Sequence, residues 1–297
     1  MKNTSKQLSK RKRTGATAEP APNRHLLGEQ MTADIQRVMQ GHEFASVEEA
    51  NAFLAALFGN GMQQALRHLP PPSSRTQAQQ IAFDAMEART ERQARKLARQ
   101  ALALDPDCVD AIVLLADLDA RSPEELMAGL EKAVQAGERS LGPAFFAKNK
   151  GYFWGLLETR PYMRARMDLA QVLLSTGRAE EAVHHFEALL ELNPNDNQGV
   201  HHVLLGCYPS RGNLAGAHRL LHDYQADSTA IFAWGRTLER FLAAICLARR
   251  WGSDEEAIIC LAYLSGAWAD HPLATSWLWE QLGFRRPQAS PQQNRPF

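Results

Sequence analysis

This chain of 297 residues has few of the devices that staple a fold together or carry it into a bilayer. Its four cysteines, Cys108, Cys207, Cys246 and Cys260, share no metal-ligand spacing and include no CxxC pair. Each falls within a helical pattern, which predicts buried free thiols in a reducing compartment rather than a disulfide framework. Long apolar runs are missing too. The strongest, AIVLLA at 111–116 and FLAAICLA at 241–248, are far shorter than the roughly 20 residues that a spanning helix needs. The basic start runs into TGATAEPAPN and not into an apolar stretch, which argues against a signal peptide and for a cytoplasmic protein. No segment alternates convincingly as a strand.

Catalytic signatures are absent in the same way. GNGMQQ at 59–64 lacks the third glycine of a dinucleotide loop, and His42-Glu43 lacks the second histidine of HExxH. Neither GxxxxGK[ST] nor GxSxG occurs, so neither a phosphate cradle nor a nucleophile elbow is expected. No catalytic residue, cofactor or metal is assigned on these grounds, and a non-enzymatic protein is expected. Charge of one sign is not in excess, with 33 basic and 33 acidic residues, but its placement is uneven. Residues 1–24 carry seven basic side chains against Glu19, including the run KRKR at 10–13. Such a cluster can touch nucleic acid or another acidic surface through charge alone, or serve as a solvated tail. No aromatic residue interleaves with it, so base stacking is not indicated.

What is present is a spacing. Ala182-x₃-Phe186 is followed by Pro194, and Ala94-x₃-Ala98 by Pro106. A small residue lets a neighbouring helix approach, the residue one turn on fills the space beside it, and proline closes the unit because it cannot continue a helix. This matches the back half of a tetratricopeptide repeat. Helices are predicted over about 26–40 and from Ser46, where Glu49 completes a capping box and Ala50, Phe53, Leu54, Leu57 and Phe58 share one face. PPPSS at 70–74 reads as a stiff linker. Helical pairs then follow at about 75–108, 109–137, 162–194 and 197–227, with a last pair over 228–250 and 254–269 and a closing helix through Trp277–Leu282. In the first pair Leu97, Ala98, Ala101 and Leu104 face the core. Residues 138–160 interrupt the period as an insertion. The expected fold is all-α, an α-α superhelix of tetratricopeptide-like repeats over 73–283. A short helical module and linker at 25–72 precede it, with disordered tails at 1–24 and 284–297.

The stretch ALALDPDCVDAIVLLADLDA and the later YMRARMDLAQVLLSTGRAEEAV resemble two shared blocks of the suppression-of-tumorigenicity-7 family. GYFWGLLETRPYMRAR and LNPNDNQG are similar to soluble bacterial tetratricopeptide relatives of that family. The resemblance spans roughly residues 75–227. It implies a helical repeat scaffold with no established catalytic residues.

The groove of such a repeat is lined by the first helix of each pair. Counting back from Pro194 puts Arg164, Met167, Gln171 and Leu174 there, with His202 in a similar place in the next unit. Arg160, Arg164 and Arg166 stand near a groove edge, where a guanidinium can fork onto a carboxylate of a partner; pairing with Glu158 or Asp168 is the structural alternative. The expected partner is a protein or peptide lying against Arg160, Arg164, Met167, Gln171 and His202. The lysine and asparagine pattern of a chaperone-tail clamp is not reproduced.

Six of the ten histidines fall between 184 and 222. His218 and His222, at i and i+4, have the spacing for one metal. His184/His185 and His201/His202 are neighbours in sequence, and adjacent helical positions point about 100° apart, so one of each pair at most is expected at a given site. Rim histidines without metal are the simpler expectation. The aromatic group Phe145, Phe146, Tyr152, Phe153 and Trp154 is expected to pack the insertion onto the repeats. Trp234, Trp251, Trp268, Trp277 and Trp279 are expected to cover the end of the core.

Overall fold

The structure, a computed structural model, describes residues 24–39, 42–61, 65–67 and 71–251. The basic run 10–13, the helices expected after residue 252, Trp268, Trp277, Trp279, Cys260 and the tail 284–297 lie outside them. Among the described residues the fold is all-α and no strand occurs. No described helix is long and apolar enough to cross a membrane. The chain divides into two compact units, Met1–Ala120 and Arg121–Phe297.

In the first unit, α1 spans Arg24–Met39 and α2 spans Val47–Ala56. Ser46 caps α2 by accepting from the Glu49 N–H at 3.2 Å, while Glu49 accepts from the Ala45 N–H at 2.8 Å. A π-helical turn, Leu57–Gly61, follows. Widening the helix by one residue rotates what comes after it. Leu57 is buried, but Phe58, expected on the same apolar face, is 57% exposed. The next three helices, α3 (Ser74–Met86), α4 (Glu91–Leu104) and α5 (Val109–Asp119), pack on one another. Their shared core is made almost wholly of small side chains: Ala78, Ala82, Ala85, Ala98, Ala101, Cys108 and Ala111. Alanine at the contact brings helix backbones close, and the larger Ile81, Leu97, Leu114 and Leu115 close the edges. Leu104, expected inward, is 40% exposed; it is the last residue of α4, where the chain turns away into Asp105-Pro106 and Ala101 already fills the inner place. Arg95 ties α4 to the end of α5, donating to the Leu118 carbonyl at 2.6 Å and to Asp119 at 2.8 Å.

The second unit begins with α6 (Pro123–Leu141), capped by Ser122, which accepts from the Glu125 N–H at 3.2 Å. Pro123 occupies the first turn, where its missing N–H costs nothing. The short α7 (Pro143–Asn149) and two 3₁₀ turns, Phe153–Gly155 and Leu157–Thr159, form the insertion. Then come α8 (Arg160–Ser175), α9 (Ala179–Leu192), α10 (Val200–Ser210), α11 (Leu214–Asp223) and α12 (Ala230–Trp251). Each packs on the next, α6 packs on α8, and α12 also returns to α10. The turns between α8 and α9 and between α11 and its predecessor use Gly177 and Gly212 at φ 85° and 72°, where a Cβ would be strained. Ala182, Phe186 and Leu189 of α9 are buried as the repeat spacing requires. The insertion packs by its rings: Phe153 is fully buried, with Phe145 edge-on at 6.1 Å, and Phe146 stands edge-on to Tyr162 at 5.2 Å. Tyr152, expected in this packing, is 78% exposed, because it precedes the 3₁₀ turn that carries Phe153 inward. Trp234 is likewise exposed, at 58%.

Candidate functional site

Helix α8 presents two different faces. Its buried residues, Pro161, Tyr162, Met163, Ala165, Leu169, Ala170 and Leu173, fill one broad arc. At 100° per residue Arg160, Arg164, Met167 and Gln171 fall within about 60° of one another on the opposite side. The structure therefore keeps these four on one stripe outside the packed arc, with Gln171 exposed and the other three partly so. Arg160 is engaged locally: its Nε donates to the Trp154 carbonyl at 3.1 Å and its guanidinium lies 5.1 Å from that indole. His202 is not part of this stripe. It sits on α10 with its ring committed to a carboxylate described below.

On the packed side of α8 lies an open cleft of about 580 Å³, walled by α6, α7, α8 and α9. Phe146, Ala147, Tyr162 and Leu192 supply apolar lining, Arg166 and Lys150 supply cationic groups, and Glu138 and Glu191 supply carboxylates. Arg166 donates to the Tyr162 hydroxyl and stands 3.9 Å from Glu138. Its Nε is buried and finds no acceptor among the described residues. Lys150 pairs with Glu191 at the rim. Burial raises the Tyr162 hydroxyl pKa, partly offset by Arg166. Behind the cleft, His185 is half-buried with Nδ1 lacking a partner, and its pKa is pushed down to about 4, first by burial and then by Arg166 and His184.

A second constellation forms where the N-terminus of α10 meets the loop between α11 and α12. Asp196, in the loop after α9, adopts φ 45°, a left-handed conformation that aspartate tolerates. From there its buried carboxylate accepts from the His201 N–H at 2.7 Å and also contacts His201 Nδ1. The other nitrogen, Nε2, lies 2.8 Å from Asp227 Oδ2, and His202 Nε2 lies 2.8 Å from the same oxygen. The expectation that one of two adjacent histidines at most can serve a site is corrected here. The Cα–Cβ vectors diverge, but Asp227 approaches between them and both rings swing to it, with centroids 4.0 Å apart. His201 is stacked on Tyr224 at 4.4 Å and 9°, and Phe232 stands edge-on at 5.1 Å. Asp227 is held from the other side by the Thr229 N–H at 2.7 Å, and Arg236 donates to its backbone carbonyl at 3.3 Å. Hydrogen bonds from the Thr229 side chain and from His201 keep its carboxyl well below the ordinary aspartate range. One metal-ligating atom from each of His201, His202 and Asp227 lies within 4.8 Å of the other two, and both Nε2 atoms are 2.8 Å from Asp227 Oδ2.

The i, i+4 pair does not converge. His218 faces Glu239 at 3.3 Å and His222 faces Asp223 at 3.5 Å, both rings being largely exposed. Asp196 and Asp227 were not legible as site residues. Asp196 sits five positions before His201 and Asp227 lies 26 after it, neither of them a metal-ligand spacing.

No family model matches the chain, and no curated protein matches it. Among solved structures it is similar to BtubC (BKLC) from P. vanneervenii, at 17% identity, covering 91% of this chain and 97% of that one, with a TM-score of 0.33. A likeness that weak carries no argument about fold or function.

Proposed function

We propose that this protein is a non-enzymatic interaction scaffold that holds a peptide or helix of a partner protein on its tetratricopeptide-like helix pairs. The observation that carries this reading is the open cleft on the second unit. Its lining is apolar along Phe146, Tyr162 and Leu192 and edged by the ion pairs Arg166–Glu138 and Lys150–Glu191, a combination that suits an apolar anchor side chain flanked by polar groups that trade partners with these pairs. The opposite stripe of α8, with Arg164, Met167 and Gln171, offers a second contact line for a longer partner. The absence of any catalytic motif from the sequence agrees with a role in holding rather than converting. Partners captured on the intact chain and identified by mass spectrometry test it, with two variants as controls. Ala147→Trp fills the cleft from an exposed position, and Arg164→Glu reverses charge on the stripe. Loss of a captured protein in either variant supports the reading, whereas unchanged capture in both, with helix content intact, removes it.

A further inference from the structure

We propose that His201, His202 and Asp227 form a binding site for a divalent transition metal of the zinc type, with Asp196 positioning His201 for it. This proposal stands apart from the scaffold reading and survives its failure.

The three candidate ligand atoms come from two different elements, α10 and the loop before α12, and converge on one point. A tetrahedral zinc ion with ligands at about 2.0–2.1 Å separates its donors by about 3.3 Å. The two Nε2···Oδ2 separations of 2.8 Å therefore need to open by only about half an ångström. The chemistry of His201 favours an ion there. A neutral imidazole has one N–H and one lone pair. With Nδ1–H held by Asp196, an ion replaces the Nε2 hydrogen that Asp227 otherwise accepts, and the Nε2 lone pair and the carboxylate then both face that ion. A dication between them, like that hydrogen, lets a ring lone pair and a carboxylate oxygen share one place without repulsion. Its charge also balances the two carboxylates, Asp196 and Asp227.

Asp196 is the positioning residue. Carboxylate–histidine–metal relays fix the tautomer and orientation of a ligating ring. Here the relay is reinforced, since the same carboxylate holds the His201 backbone N–H and Tyr224 and Phe232 fix the ring plane. Asp227 is equally prepared by Thr229 and Arg236. Side-chain exposures of 11%, 29% and 13% for His201, His202 and Asp227 leave a path for an ion past His202. Two imidazoles and one carboxylate suit zinc, cobalt or nickel better than calcium or magnesium, which prefer all-oxygen sets.

The test uses the full chain prepared without a histidine tag and stripped with a chelator. Zn²⁺ is titrated by calorimetry, and Co²⁺ by its visible absorption. One equivalent binds, with the intense bands of a low-symmetry four-coordinate site. His202→Ala and Asp227→Asn each weaken binding at least tenfold, while His218→Ala and His222→Ala leave it unchanged. Asp196→Asn weakens it 10–100-fold and shifts the cobalt bands, a change that loss of a helix cap alone does not produce. Circular dichroism checks each variant; because His202 is partly exposed, His202→Ala decides the matter if Asp227→Asn does not fold. Absence of saturable one-equivalent binding to the intact chain overturns the proposal. So does full-affinity binding to His202→Ala.

Discussion

Gly137 lies inside α6 where that helix meets Tyr162 of α8. A Cβ built there lies 2.7 Å from Tyr162 Cδ2 and 3.0 Å from its Cβ. Alanine at an interior helical position is worth about 1 kcal/mol over glycine, but overpacking a filled contact costs about 1–3 kcal/mol. Tyr162 is 1% exposed and cannot swing clear, so the steric cost wins. Gly137→Ala is expected to destabilise the protein by about 1 kcal/mol, read as a lower urea midpoint at unchanged slope. His185 predicts a pH dependence of definite sign. Its folded pKa of about 4 lies below the ordinary 6.5, so the unfolded chain takes up the proton first. The contribution is fully present above about pH 6.5 and is lost as pH falls towards 4. Because the ring is only half-buried, water screens it, and about 1 kcal/mol of the window is its share. His185→Asn, neutral throughout, is expected to flatten the fall in melting temperature between pH 6.5 and 4.5; an unchanged profile assigns the slope to other groups. Residue-scale roles of this kind were the least legible in the sequence. Nothing in AEEAVHH distinguishes half-buried His185 from exposed His184, because that depends on what α8 places opposite. Asp196 reaches His201 locally, from five positions before it, but Asp227 meets His201 only because α12 returns to α10.

At the scale of elements the local chemistry and the fold agree. Ser46, Ser73, Thr90 and Ser122 each accept from the N–H three residues on, at 3.1–3.2 Å, and each precedes a helix that the apolar period also marks. Ser122→Ala is expected to cost about 1 kcal/mol, measured by chemical denaturation, with Ser122→Asp retaining most of the lost stability. The repeat spacing located α4 and α9 because alanine and phenylalanine at fixed intervals are demanded by helix contact itself. It did not anticipate the π-helical turn at Leu57–Gly61 or the burial of Phe153 with exposure of Tyr152. Both depend on a register shift of a single residue, and such shifts are decided by packing and not by composition. The all-α class and most helix starts were thus readable in advance, while the facing of individual aromatics was not.

At the scale of the whole molecule, Cys108 in the first compact unit and Cys207 in the second are buried thiols that can report on the unit that holds each. Burial pushes the Cys108 pKa up to about 12 and also raises that of Cys207. Only the thiolate reacts with an alkylating agent, so both are expected to stay unlabelled by iodoacetamide at pH 8 in the native protein. They become labelled as urea unfolds the unit that holds each, with peptide mapping to separate them. Rapid native labelling of either would contradict its burial. Asp196 has a consequence of the same kind for backbone protons. Amides in the opening turn of a helix have no carbonyl partner within it and normally trade hydrogen for deuterium quickly. The His201 amide is held by a buried carboxylate instead, which makes it a slow exchanger among fast ones. One resolved peptide across 199–203 then follows the tightening or loosening of that junction without any label on the protein.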